Sequence, residues 1–327
     1  RRQRQMCIRD RPVYNGGEYL SRCLQSFVGQ TSKDFELICI NDGSEDNTDE
    51  ILEGFKAKIE TLKILKNEKN SGVSYSRKRG IDCATSEYVT FVDGDDYVSA
   101  DYAATINEEI AGLDDQTMFI CFNHIVEYKG RRTVAKSIKN DSLETDFVML
   151  VMNRKGEISN YLCDKVFRKS YLSEIVPPSN MIIGEDYYIL SHYLLRHPGK
   201  IQYCGKAIYH YVIRKESVSH RSFSEQFVST YENYKSLKDF LCEAKPQLTP
   251  YFIYFFLFES SLLVSRTKRN SETAKNFIST VRKEIKEEYH AIKQCEGISF
   301  ASKMCIRLLK TNYSLFKAVF SIYKIFN

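Results

Sequence analysis

Strand-like runs alternate with helical patterns through the first 126 residues, and this alternation limits the folds open to the chain more than any other feature. FELICIN (35–41), LKILK (62–66), YVTFV (88–92) and MFICFNHIV (118–126) are rich in β-branched and aromatic residues. Between them, residues 17–29, 46–58 and 73–84 carry helical patterns that open on Gly, Asp or Ser and close near a polar break. Alternation of this kind predicts an α/β fold, a mainly parallel sheet flanked by helices, with ligands bound at the carboxyl ends of the strands. NDGS (41–44) and DGDD (93–96) both fall at such ends. After about Ile183 the pattern turns predominantly helical, rich in Tyr, Phe and Lys, without repeats.

Composition narrows the class. The 327 residues, 43% of them hydrophobic, can fill the core of one large domain or two ordinary ones. None of the ten cysteines forms a C-x-x-C pair, and most sit inside apolar runs such as LICIN and FICFN. They predict small buried side chains in a reducing cytoplasm, not a zinc site or a disulfide framework. The longest apolar run, Tyr251–Phe258, is far short of the ~20 residues a spanning helix needs. No secretory signal opens the chain, so a cytoplasmic location is expected. The stretch 251–264 is expected to be helical core. Charge is divided unevenly: residues 191–327 hold 22 Lys and Arg against 11 Asp and Glu, net +11, leaving net −6 for residues 1–190.

The stretch YVTFVDGDDYVSADY (88–102) ends an apolar strand in three carboxylates, Asp93, Asp95 and Asp96. One reading is a solvated strand-to-helix turn, where Asp and Gly are common. The other is a site for a hard divalent cation, held by carboxylates together with substrate phosphates. A second acidic strand end at Asp42 and a third acidic pair, Glu185 and Asp186 after Gly184, shift the weight towards chemistry.

A series of segments carries a resemblance. PVYNGGEYLSRCLQSFVGQT (12–31), FELICINDGSEDNT (35–48), NSGVSYSRKRGIDCA (70–84), YVTFVDGDDYVSADY (88–102), CDKVFRKSYL (163–172), GEDYYIL (184–190) and YHYVIRKESVS (209–219) resemble, in order and spacing, the family 2 glycosyltransferases. The resemblance implies inverting enzymes of the GT-A nucleotide-sugar-binding fold, similar to bacterial transferases of capsule, exopolysaccharide and lipopolysaccharide synthesis. It implies a GT-A domain over 12–220 and a basic, aromatic-rich helical region over 221–327.

The resemblance also implies roles. Pro12, Tyr14, Asn15 and Glu18 would lie against the nucleotide base, and Asp42 would accept a hydrogen bond from the ring of a UDP-sugar. Asn70, Gly72 and Arg77 would lie beside the nucleotide. Asp95 would ligate Mg2+ or Mn2+ at the diphosphate, while Asp93 would contact the ribose or support the metal. Asp186 would be the base that deprotonates the acceptor hydroxyl, with Glu185 in reserve. Lys165 and Arg214 would hold the diphosphate, and His210 would be a further metal ligand. The partners implied are a nucleotide-sugar donor and a glycan or lipid-linked acceptor; nucleic acid is not expected, and a homo-oligomer is left open.

Two departures stand out. Where relatives have an apolar first strand this chain has RRQRQMCIRDR, so residues 1–11 read as a strand-poor, non-native segment, which would impair folding or activity. Lys78 stands where relatives commonly carry Asn. At the other end, Lys303, Arg307, Lys310, Lys317 and Lys324 flank an apolar stripe of Ile306, Leu309, Tyr313, Phe316, Phe320 and Tyr323. A single helix with that pattern would lie on an anionic membrane, at ~1 kcal/mol per basic residue, or pack its stripe against protein. Peripheral contact with the inner face of the plasma membrane through 300–327 is therefore one expectation. Competing functions are a nucleotidyltransferase, for which no Gly-rich phosphate loop is found at Pro12–Tyr19, and a degenerate nucleotide-sugar-binding protein.

Overall fold

The computed structural model describes residues 6–10, 13–136, 159–179, 181, 183–214, 226–293, 295 and 298–326, with backbone alone for 6–10 and 321–326. The chain divides into two compact units, one holding a sheet with its helices up to Arg214 and the other a set of helices from Gln226 onward.

In the first unit the elements run β1 (Met6–Asp10), α1 (Gly17–Val28), β2 (Phe35–Asn41), α2 (Thr48–Lys56), β3 (Leu62–Lys66), α3 (Val73–Cys83) and β4 (Tyr88–Val92). They continue with β5 (Tyr97–Val98), α4 (Tyr102–Ala111), β6 (Thr117–Tyr128), β7 (Arg131–Ala135), β8 (Lys165–Arg168), α5 (Lys169–Ser173), α6 (Glu185–Arg196) and β9 (Lys200–Val212). The sheet order is β3-β2-β1-β4-β8-β6-β9-β5, with β7 on β6. From β3 to β4 every pair is parallel; β8 then joins β4 and β6 antiparallel, and β9 runs parallel to β6. β2 and β4 are buried along their whole length. Strands covered on both faces read as continuous apolar runs, as these do. Leu20, Cys23, Leu24 and Phe27 put the buried stripe of α1 on the sheet beside Leu37, Cys39, Val92 and Tyr102.

Two expectations are corrected here. The segment 1–11 is not strand-poor: Met6–Asp10 forms β1, the central strand, paired with β2 on one side (Ile8 opposite Leu37) and β4 on the other (Ile8 opposite Thr90). Ladder bonds come from backbone N–H and C=O groups, so a charged composition does not forbid a strand with a partner on each side. The region after Ile183 is predominantly helical, as expected, and holds in addition one strand of 13 residues, β9. Its Gly205 and the register shifts opposite Phe122–His124 break the alternation that marks a strand.

The second correction concerns the second unit, which holds α7 (Gln226–Ala244), a 3-10 turn (Pro246–Leu248), α8 (Thr249–Arg266), α9 (Glu272–Ile292), α10 (Phe300–Thr311) and α11 (Tyr313–Phe326). The C-terminal stretch is two helices, not one, because the Asn312 side chain accepts from Leu315 N (3.0 Å) and caps a new start. Its apolar stripe faces inward: Ile306, Leu309, Phe316 and Phe320 are buried, and Tyr313 Oη donates to Thr267 O (2.7 Å). Those four side chains are therefore spent on protein packing. Pro246–Arg266 is long and apolar enough to cross a membrane by length and composition, yet 61% of its apolar window is buried within the unit. Phe252, Phe255, Phe256 and Leu263 lie in this core, as expected for 251–264. Lys235–Glu284 (3.0 Å) and Lys238–Glu288 (2.7 Å) tie α7 to α9.

Candidate active site

At the carboxyl end of β4 the chain turns through Asp93–Asp96, closed by Asp96 N donating to Asp93 O (2.8 Å). Carboxylate oxygens of Asp93, Asp95 and Asp96 lie within 4.8 Å of one another. The three are not equivalent. Asp96 is buried and accepts from Tyr209 Oη (2.5 Å) and Val212 N (2.8 Å), which ties the turn to β9. Tyr209 Oη also accepts from Asp93 N (3.2 Å). Burial, then the charge of Asp96, pushes the Tyr209 phenol well above its ordinary range, so it keeps its proton. Asp93 and Asp95 are half-buried, and Asp95 forms an ion pair with Arg214, whose guanidinium lies 3.7 Å from the Tyr19 ring centre.

A second group of loops meets at the ends of β1 and β2. Val13 N donates to Ile40 O and Asp42 N to Val13 O, each at 2.8 Å. Asn15, at φ 50°, donates its N–H to Ser44 Oγ (3.0 Å) and accepts from Glu45 N (2.9 Å). Asp42 is buried and accepts from Asn67 Nδ2 (2.6 Å), Ser71 N (2.9 Å) and Gly72 N (2.9 Å), so it pins the 70–72 turn. Asn70 Oδ1 also accepts from Gly72 N (3.2 Å). A Cβ on Gly43, at φ +72°, would meet Lys69 C at 2.6 Å and Asn70 N at 2.7 Å. The turn after β2 thus approaches the 69–70 backbone closer than any side chain permits. Tyr14, Asn15, Glu18 and Asn70 are exposed on this rim, while Pro12 lies outside the described residues.

Arg77, buried on α3, donates through Nη1 to Glu185 Oε1 (3.2 Å) and Asp186 Oδ1 (3.4 Å) at the start of α6. Glu185 is buried in this contact, whereas the Asp186 side chain keeps 25% exposure. Of the two carboxylates, Asp186 is the one that solvent or a substrate can reach. Arg77 was expected beside a nucleotide; its charge is directed at this acidic pair.

Two further expectations are corrected. Lys165 is no surface cation: it is fully buried, and its three N–H bonds go to Ser159 O, Tyr161 O and Asp164 Oδ1, each at 2.7 Å. Nothing remains for a diphosphate. His210 offers no ring nitrogen to the carboxylates, since Nδ1 lies 3.2 Å from Glu127 Oε1 and Nε2 lies 3.1 Å from Ser99 Oγ. The ring stacks on Tyr97 at 4.2 Å. Burial holds His210 below its ordinary range in spite of Glu127, so its single N–H belongs to that carboxylate.

Sequence reading missed Tyr209 and Arg22. Tyr209 is read as one more aromatic in an apolar strand, and nothing local marks its hydroxyl. Arg22, with its Nη2 3.4 Å from Asp95 O and its guanidinium 4.6 Å from the Tyr97 ring, could have been found. It follows Glu18 by four on α1 and shares its helix face.

The geometry can be set beside known proteins. A family model described as Glycosyl transferase family 2 matches residues 12–175. Glycosyltransferase GlyA of Streptococcus pneumoniae is 31% identical over 226 residues, 66% of this chain and 32% of GlyA. Poly(ribitol-phosphate) beta-glucosyltransferase of Bacillus spizizenii is 28% identical over 240 residues, 72% of this chain and 36% of that protein. The chain thus spans about a third of the length of these two relatives. Residues 1–349 of S. aureus TarS, solved in complex with UDP-GlcNAc, superpose with a TM-score of 0.70 at 19% identity, covering 98% of this chain and 91% of that one, a likeness of fold.

Proposed function

The chain belongs to glycosyl transferase family 2, and from that premise we propose that it moves a sugar from a nucleotide-sugar donor to a hydroxyl of a cell-surface glycan or lipid-linked acceptor, with inversion. UDP is the nucleotide we favour over GDP and dTDP. A relative named for poly(ribitol-phosphate) and a fold neighbour solved with UDP-GlcNAc support a UDP-sugar and a surface polymer. The observation that carries the reading is the carboxylate cluster at the end of β4, in the same unit as the Arg77–Glu185–Asp186 group.

Asp186 is the general base. It takes the proton of the acceptor hydroxyl as that oxygen bonds to the anomeric carbon, and the bond to the diphosphate oxygen breaks with its electron pair leaving on the nucleotide. Glu185 is buried on Arg77 and serves as the reserve candidate. Tyr14, Asn15, Glu18, Asn70 and Gly72 form the nucleotide rim, and Asp42 holds the Asn70–Gly72 turn. The Asp42 Oδ2 atom, with one donor from Gly72, retains capacity for a ring N–H. Asp95 with Asp93 would hold Mg2+ or Mn2+, hard cations suited to oxygen ligands; such an ion stabilises the negative charge of the departing diphosphate. The Arg214–Asp95 ion pair supports the fit, because positive charge is already drawn to that carboxylate. Arg214 and Arg22 are the cations placed to receive phosphate oxygens.

The test is calorimetric titration of the chain with UDP and Mn2+, with GDP and dTDP as comparators. We expect UDP binding that needs the metal and disappears in Asp95→Ala, followed by sugar transfer that disappears in Asp186→Ala. A folded sample that binds no nucleotide with either metal would overturn the reading.

A further inference from the structure

The helical unit carries a concave surface of the opposite chemistry. A groove of about 560 Å³ is lined by Arg269, Lys275, Ile278, Arg282, Lys283 and Lys286, and no carboxylate lines it. Lys275, Arg282, Lys283 and Lys286 share one face of α9, and at 1.5 Å rise per residue the row runs about 16 Å. Two of the cations are fixed by the fold. Arg282 donates to Leu309 O (3.0 Å), Lys310 O (3.3 Å) and Thr311 O (3.2 Å) at the end of α10. The Arg269 guanidinium sits 4.2 Å from the Tyr313 ring centre. Three lysines remain exposed: Lys275 with Glu272 at 3.1 Å, Lys283 with Glu287 at 4.0 Å, and Lys286 without an ion pair among the described residues. Exposed pairs of this kind hold their charges weakly.

We propose that this groove binds a linear phosphate-bearing polyanion, a chain of phosphodiesters or linked phosphates laid along α9. Three features favour a chain over a bilayer surface. The cations form a row inside a concavity, which a flat headgroup plane cannot enter. Ile278 on the floor is 2% exposed, so the groove offers a membrane no apolar side chain to insert. Ile306, Leu309, Phe316 and Phe320 of the apolar stripe on α10 and α11, the other membrane-facing candidate, are buried inside the unit. Residues 215–327, which belong to this unit, hold 18 Lys and Arg against 11 Asp and Glu, and that net +7 would steer such a ligand towards it. The inference is independent of the donor-site reading and survives its failure.

The test measures binding of the full chain to labelled short-chain inorganic polyphosphate, with orthophosphate and phosphatidylglycerol vesicles as comparators. K275E/K283E/K286E is expected to weaken polyphosphate binding roughly ten-fold or more, while K56E/K58E/K129E, with the same change in charge outside the groove, leaves it nearly unchanged. Raising NaCl from about 50 to 200 mM should weaken binding of the unaltered chain roughly 20-fold, as three contacts releasing ~0.7 counterion each imply. Circular dichroism checks the fold, and K275Q/K283Q/K286Q replaces the reversal variant if that fails to fold. Equal loss in groove and control variants, no loss in the groove variant, orthophosphate binding as tight as polyphosphate, or tighter binding to vesicles would each overturn the proposal.

Discussion

Lys165→Met should unfold the sheet unit more readily without touching ligand affinity. Lys165 and Asp164 both have side chains at 0% exposure, 2.7 Å apart, and His124 Nδ1 lies 3.3 Å from the other Asp164 oxygen. Removing the ammonium leaves a buried carboxylate with only His124, and leaves the carbonyls of Ser159 and Tyr161 without their donor. Breaking a buried pair from one side costs about 3–5 kcal/mol. For a unit of this size, at 2–4 °C per kcal/mol, the melting temperature should fall by roughly 6–20 °C. Adding Asp164→Leu removes the stranded charge and should restore part of the loss, although the two carbonyls still lack a donor. The assay is urea unfolding followed by circular dichroism for the unaltered chain and the two variants, with UDP titration well below the melt. A loss under about 1 kcal/mol together with a roughly ten-fold weaker UDP affinity would refute the reasoning, and would return Lys165 to the ligand.

Four other outcomes are expected. Asp186→Asn should lower the transfer rate by about 10²–10⁴-fold in single-turnover assays while calorimetry shows UDP affinity unchanged. Gly43→Ala should cost about 1–3 kcal/mol in urea unfolding, because it adds a Cβ at φ +72° against the Lys69 backbone, and should weaken UDP binding as the 69–72 turn is displaced. His210→Gln should leave metal-dependent UDP binding intact; loss of the metal dependence would make His210 a ligand after all. Burial alone would raise the Asp164 carboxyl, but Lys165 and His124 outweigh it and hold it below the ordinary range. Its contribution to stability is therefore complete above the unfolded carboxylate range near pH 4 and is lost as pH falls through the lower folded value, so Asp164→Asn should flatten the acid limb of a melting-temperature profile.

Legibility from sequence followed how local the signal was. β2 and β4 declared themselves because short runs dominated by β-branched, aromatic and other apolar residues need cover on both faces, and the acidic turn follows β4 directly. β1 was missed because its place depends on two neighbours, β2 and β4, that are remote in sequence. The Arg77–Asp186 contact spans 109 positions and leaves no local trace, so a buried arginine was read as a nucleotide contact. Lys165 and His210 failed for a shared reason: a cationic residue type in a motif says nothing about which acceptors surround it. Asp96 was given no ligand role from sequence, and its two oxygens accept from Tyr209 and Val212 of β9.

The bond from Tyr209 to Asp96 joins positions 113 apart. Its consequence lies in the order of assembly. A chain emerging from synthesis displays all three carboxylates by residue 96, yet the strand that tethers them arrives only with residues 209–212. Until then the turn is a loose anionic loop beside a partial sheet, and loop-closure entropy must be overcome before the tie forms. The acidic residues are made 113 positions ahead of the tyrosine that fixes Asp96, so cation affinity should mature with the closing of the sheet and not with the appearance of the motif.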